Sequence, residues 1–167
     1  MNTHPSQHKL SNKWDLYYHL PNDTNWNISS YKTIMKNINS VEEVLALNEK
    51  INDHVVKYSM LFLMRSGISP LWEDPKNRNG GCFSFKVLNK QVNEIWKNLF
   101  YCICGESLCV NNENSKYING ITISPKKHFC IVKIWFANCD FQNPNILIDI
   151  DNLQKQGCLF KKHEPEF

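Results

Sequence analysis

Gly67-Ile68-Ser69-Pro70-Leu71-Trp72-Glu73-Asp74-Pro75 is the stretch whose reading decides the fold of this chain. It starts on a glycine, holds two prolines and sets an indole directly before two carboxylates. Proline lacks the amide donor and fixes its own φ, so the segment is neither a helix interior nor a central strand. It reads as a rigid loop carrying Trp72 and Glu73 side by side. Taken alone, such a short motif is more often a turn whose tryptophan folds back on the core and whose acids are solvated. Its neighbours have to decide.

Working outward, Tyr58 to Met64 is short and rich in large apolar residues, which suits a buried strand. After the loop, Lys76 to Gly81 is a turn and Cys82 to Leu88 alternates as a strand, so the two strands and the loop read as a long hairpin. Asn89 to Ile103 carries Val92, Ile95, Trp96, Leu99, Phe100 and Ile103 at helical spacing, closed by Gly105. Upstream, Leu10 to Leu20 places Trp14, Leu16 and Tyr18 on one strand face and Asp15, Tyr17 and His19 on the other. Trp26 stands in a polar loop where no core periodicity asks for an indole. Ser40 to Ile51 reads as the first helix, with a Ser40–Glu43 capping box and a Val44, Leu47, Ile51 stripe.

Downstream, Tyr117 to Ser124 and Phe129 to Phe136 are strands joined by Pro125-Lys126-Lys127-His128. On the second, Cys130, Val132, Ile134 and Phe136 form an apolar face, while Ile131, Lys133 and Trp135 form a mixed one. A third helix is expected after Asn143-Pro144, with Ile146, Ile150 and Leu153 as its stripe and Gly157 as its stop, then a short strand from Cys158 to Lys161. These elements describe an α+β domain: a mostly antiparallel sheet with helices packed on one face and the other face open. The polar segment 1–7 is expected to be flexible, and residues 8–167 to form a single domain.

Composition narrows the function classes. The 167 residues carry a formal net charge of only +3, too little for a non-specific nucleic-acid binder, so an anionic partner needs a local basic cluster. No apolar run approaches a membrane span and the N-terminus lacks a leader pattern, which points to the cytosol. The seven cysteines are an odd number without disulfide spacing. Cys102, Cys104 and Cys109 form no CxxC pair, so neither a metal nor another cofactor is implied. Asparagine occurs 22 times, a bias that suits a protist or a large DNA virus acting in a host cytoplasm.

Several collinear stretches resemble one family. They are the opening loop with Lys76-Asn77 and Gly80-Gly81, His8-Lys9-Leu10-Ser11-Asn12-Lys13-Trp14, Ser40-Val41-Glu42-Glu43, Leu88-Asn89-Lys90-Gln91, Gly105-Glu106-Ser107 and Ile134-Trp135. Together they resemble the translation initiation factor 4E family, which binds the mRNA 5′ cap. The resemblance implies a curved antiparallel sheet with three helices on its convex face and the cap in its concave face. There 7-methylguanine is sandwiched between indoles matching Trp26 and Trp72, Glu73 accepts from the base edge, and Trp135 meets the methyl group. The chemistry is consistent, because N7 methylation makes the base cationic and adds a cation–π contribution to stacking. Lys126 matches a phosphate-binding residue, with Lys133, Lys127 and His128 as further candidates. The family's arginine after the double glycine is Cys82 here, and a later phosphate-binding lysine falls on Ile131.

The same resemblance implies a partner surface at His8, Val41, Leu45, Lys97 and Tyr101, where an initiation factor 4G or repressor helix docks. Leu45 replaces the family's tryptophan, while Lys97 and Asn98 replace a Leu and a Glu, so a divergent 4G-like partner is expected. The expected protein is a monomer that binds capped mRNA for translation initiation, has no membrane partner and catalyses nothing. A cap-binding repressor is the alternative. A cap- or nucleotide-processing hydrolase would require clustered metal-holding carboxylates, and Glu73-Asp74 is the only acidic pair near the proposed site.

Overall fold

The computed structural model describes residues 6–167; residues 1–5 of the expected flexible segment lie outside them. Seven strands form one curved antiparallel sheet in the order β2-β1-β3-β5-β6-β4-β7. These are β1 (Lys9–His19), β2 (Lys32–Ser40), β3 (Met60–Arg65), β4 (Gly81–Leu88), β5 (Ile118–Pro125), β6 (Phe129–Phe136) and β7 (Leu159–Lys162). The helices α1 (Val41–Lys50), α2 (Asp53–Tyr58) and α3 (Val92–Cys104) cover the convex face, with α3 lying across β1 and β5.

Alternation along each strand creates two apolar layers. Trp14 and Leu16 of β1, Phe83 and Phe85 of β4, and Val132, Ile134 and Phe136 of β6 face the helices. They meet Val92, Ile95, Trp96, Leu99, Phe100 and Ile103 of α3, all buried as their helical spacing requires. The smaller layer holds Tyr17, Phe62, Met64, Ile68, Cys82 and Trp135, with Tyr31, Met60 and Trp72 packed against it. That layer floors the concave face.

Local signals explain several boundaries. Ser40 accepts from the Glu43 amide while the Glu43 carboxylate accepts from the Ser40 amide, so the capping box forms as expected. After α3, Glu106 anchors the turn by receiving both terminal nitrogens of Arg65 at 2.6 and 2.8 Å, and Asn12 at 2.8 Å. Arg65 also donates to the Ile118 and Ser115 carbonyls and lies 4.5 Å from the Trp14 ring centroid. A half-buried bidentate pair of this kind ties β1, β3 and the α3 exit together.

The structure corrects two expectations and adds two elements. The strands flanking the Trp72 loop form no hairpin: β3 pairs with β1 and β5, whereas β4 pairs with β6 and β7. The loop therefore crosses the sheet, and β5 and β6 fill the gap. No third helix follows Asn143. Asn143 and Pro144 start only a 3-10 turn over Pro144–Ile146. From its last residue onward Ile146, Ile148 and Ile150 pack on the core at a spacing of two, with bridges Cys109–Leu147 and Ile150–Leu153, so the period is extended rather than helical. The third helix is instead α2, whose N-cap Asn52 accepts from the Val55 amide. Strand β2 was also unforeseen; its apolar residues are sparse because it is an edge strand with much of its length exposed.

Candidate functional site

The Trp72 loop is held from within by two polar side chains. Asp74 accepts from the Ser69 and Lys76 amides at 2.8 and 2.9 Å, and its carbonyl receives the Asn77 and Arg78 amides. Asn77 is fully buried and donates to the Ser69 and Leu71 carbonyls at 2.9 and 2.8 Å. Asn119 of β5 donates to the Asn77 side chain and to the Lys76 carbonyl, both at 2.9 Å. Gly67 enters the loop at φ +86, a left-handed conformation that a side chain would strain. Gly80 leaves it pressed on the backbone of β6, where a Cβ would collide with the Phe136 carbonyl oxygen. Trp72 and Glu73 thus stand on a braced platform, both half-buried. Asp74, the second acid of the motif, is structural.

Each indole rests on a histidine. Trp72 stacks on His163 with centroids 5.5 Å apart and planes at 16°. Trp135 meets the same imidazole at 5.0 Å and donates through Nε1 to the Thr122 hydroxyl at 3.4 Å. His163 Nδ1 donates to the Asn77 carbonyl at 2.7 Å, so the histidine is fixed to the loop it supports. Burial lowers the pKa of His163; the Asn77 hydrogen bond opposes that shift and the nearby Lys133 ammonium adds to it. On the other side Trp26, 51% exposed, stacks on buried His19 at 4.3 Å and 8°. His19 Nδ1 and Nε2 lie 2.8 Å from the Leu20 and Asn25 carbonyl oxygens, which pins the loop that carries Trp26.

Tyr31 connects the two sides. It contacts His19 and Trp26, sits edge-on to Phe62 at 5.1 Å, and its phenol is pushed up by burial and by the Glu73 carboxylate. Among the described residues no ring contact joins Trp26 to Trp72. One Glu73 oxygen receives the Glu166 amide at 3.2 Å.

The basic candidates divide. Lys133 lies half-buried on the concave face, paired in register with Thr122 and Ser84. Lys126, Lys127 and His128 are exposed in the β5–β6 turn, closed by the Lys126 amide donating to the Phe129 carbonyl at 2.7 Å. On the convex side Val41, Leu45 and Tyr101 are 41%, 48% and 39% exposed on α1 and α3, and Lys97 is half-buried. His8 is fixed beside them by a 2.7 Å contact between Nδ1 and Glu42.

Sequence reading missed Tyr31 and the supporting role of both histidines. His19 had been placed on the correct strand face, and continuing the alternation of the last strand by two residues beyond Lys161 reaches His163.

Comparison with known proteins agrees with this architecture. Eukaryotic translation initiation factor 4E homolog of Acanthamoeba polyphaga mimivirus is 31% identical over 136 residues, covering 70% of this chain and 50% of the relative. Eukaryotic translation initiation factor 4E-2 of Schizosaccharomyces pombe is 30% identical, covering 96% of this chain and 61% of the relative. This chain therefore spans between half and about three-fifths of those relatives' length. The solved complex of C. elegans eIF4E-3 with the 4E-binding protein Mextli and cap analog superposes with a TM-score of 0.76 at 22% identity, covering 97% of this chain and 99% of that one. Residues 9–164 match the family described as Eukaryotic initiation factor 4E, and the chain belongs to that family.

Proposed function

We propose that this protein binds the 7-methylguanosine cap of mRNA in the gap between Trp26 and Trp72, without chemical turnover, in support of translation initiation. The observation that carries the reading is the convergence at Tyr31, which touches Trp26 and lies within electrostatic reach of Glu73. With Tyr31 and Trp72 packed on the same concave floor, two indoles on separate loops and one carboxylate would border a single space. A cationic guanine entering it gains stacking on both faces, a cation–π contribution, and paired hydrogen bonds from N1–H and the exocyclic amine to Glu73. Trp135 lies on the floor, where the methyl group would rest. Lys133 faces the phosphates, with Lys126, Lys127 and His128 at the rim.

Relatives support the assignment by name, and solved neighbours include Ascaris suum eIF4E-3 with an m2,2,7G cap and schistosome eIF4E with m7GpppG and 4E-BP. We place the protein in the cytoplasm, as a monomer acting in translation; no helix among the described residues is long and apolar enough to cross a membrane. Capped mRNA is its first partner. A divergent 4G-like helix is the second, docking on Val41, Leu45, Tyr101 and the neighbouring His8 and Lys97. Exposed Leu45 and the cation of Lys97 favour a second reading, a repressor that holds the cap without engaging an ordinary 4G helix. The test is titration with 7-methyl-GTP followed by tryptophan fluorescence, with the nucleotide recovered intact. Absence of quenching would overturn the assignment, and hydrolysis of the nucleotide would overturn the claim of binding without turnover.

A further inference from the structure

Cys82 occupies the position where the resemblance calls for a phosphate-binding arginine, and the register shows which cations surround it. Cys82 pairs with Trp135 of β6 on one side and with Lys161 of β7 on the other. One pair further along, Ser84 lies opposite Lys133, which in turn lies opposite Thr122. Directly paired residues in an antiparallel sheet share a face. The concave surface therefore carries a row of Trp135, Cys82 and Lys161 beside a row of Thr122, Lys133 and Ser84, on strands about 4.8 Å apart.

The side chains follow that layout. The buried Cys82 thiol is pushed up by burial and drawn back by the Lys133 ammonium, by the Ser84 hydroxyl and by the Lys161 ammonium. The Lys161 ammonium also lies 5.6 Å from the centroid of the Trp72 ring, next to one wall of the base slot. Its ion pair with Glu164, at 3.6 Å between exposed groups, holds it only weakly. Lys162 carries the same charge on the opposite face of β7, paired with Gly81.

We propose that Lys161 and Lys133 together form the cradle for the cap's phosphate chain, with β7 delivering the positive charge that β4 lost at Cys82. The hydroxyls of Thr122 and Ser84 flank Lys133 in the same row and supply neutral donors beside the cations. Phosphate recognition thereby depends on the last strand, while base recognition stays with the Trp26 and Trp72 loops. The inference rests on the cap-binding reading.

Fluorescence titration of the full chain with 7-methyl-GTP and with the phosphate-free nucleoside 7-methylguanosine separates the two. Lys161→Gln should weaken 7-methyl-GTP binding about tenfold, the loss of one charge-assisted contact, and leave 7-methylguanosine unchanged. Lys161→Arg should retain binding, and Lys162→Gln, which removes the same net charge from the other face, should change it less than about twofold. Equal losses in Lys161→Gln and Lys162→Gln would overturn the cradle, leaving only net charge at work. An equal loss of nucleoside and triphosphate in Lys161→Gln would also overturn it, because Lys161 would then act by supporting Trp72. If the unmodified protein bound neither ligand, the cap reading itself would fall.

Discussion

Glu73 and Asp74 are adjacent carboxylates with opposite fates, and the difference is set by which amides each can reach. Asp74 is consumed by the Ser69 and Lys76 amides, whereas among the described residues Glu73 receives only the Glu166 amide, on one of its two oxygens. Replacing Glu73 by Ala should therefore cost about 1–3 kcal/mol in 7-methyl-GTP binding while leaving the urea midpoint unchanged; an unaltered affinity would show the carboxylate is misassigned. Asn77 should behave in the reverse order. Its side chain serves the Ser69 and Leu71 carbonyls and accepts from Asn119, so Asn77→Ala should lower stability by about 1–3 kcal/mol in urea titrations, with cap affinity falling as a consequence. The identity of the Trp72 and Glu73 pair was legible in the sequence because two prolines and a glycine isolate it. The role of Asn77 is not legible there, because its partners are carbonyls that no spacing rule exposes.

At the scale of elements, the strands β1, β5 and β6 and the helices α1 and α3 could be read from apolar period and capping. The segment after Asn143 could not. Its isoleucines fit both a spacing of two and one of four, and tertiary bridges decided for the extended form. The closing strand matters for another reason, since His163 follows it directly and links Trp72, Trp135 and the Asn77 carbonyl. Burial holds this histidine below its ordinary 6.5, so the unfolded chain takes up its proton first as the pH falls. The stability that depends on neutral His163 is full above pH 6.5 and is lost as the pH drops from there through the lowered folded value. Thermal melts of the unmodified protein should therefore lose more between pH 7.5 and pH 5, about the span of an ordinary histidine titration, than melts of His163→Gln. Parallel pH profiles would show that His163 does not carry this linkage.

Across the whole molecule the two faces of the sheet are built for different contacts. The concave face holds both indole loops braced by buried histidines. The convex face exposes Val41, Leu45 and Tyr101 but places Leu45 and Lys97 where the resemblance expects a tryptophan and a leucine. An ordinary 4G-type helical peptide should accordingly bind at least about tenfold more weakly than the family's fold would suggest, because an indole donor is lost and a cation meets an apolar contact. Calorimetry giving ordinary affinity would refute that divergence. The central claim is that a positively charged base is held between Trp26 and Trp72, and charge is the one property that separates 7-methyl-GTP from GTP in such a slot. Parallel fluorescence titrations with these nucleotides test it most directly. The methylated form should bind about tenfold tighter, the size of a desolvated cation–π contribution; equal affinity for both would rule out a charge-selective slot.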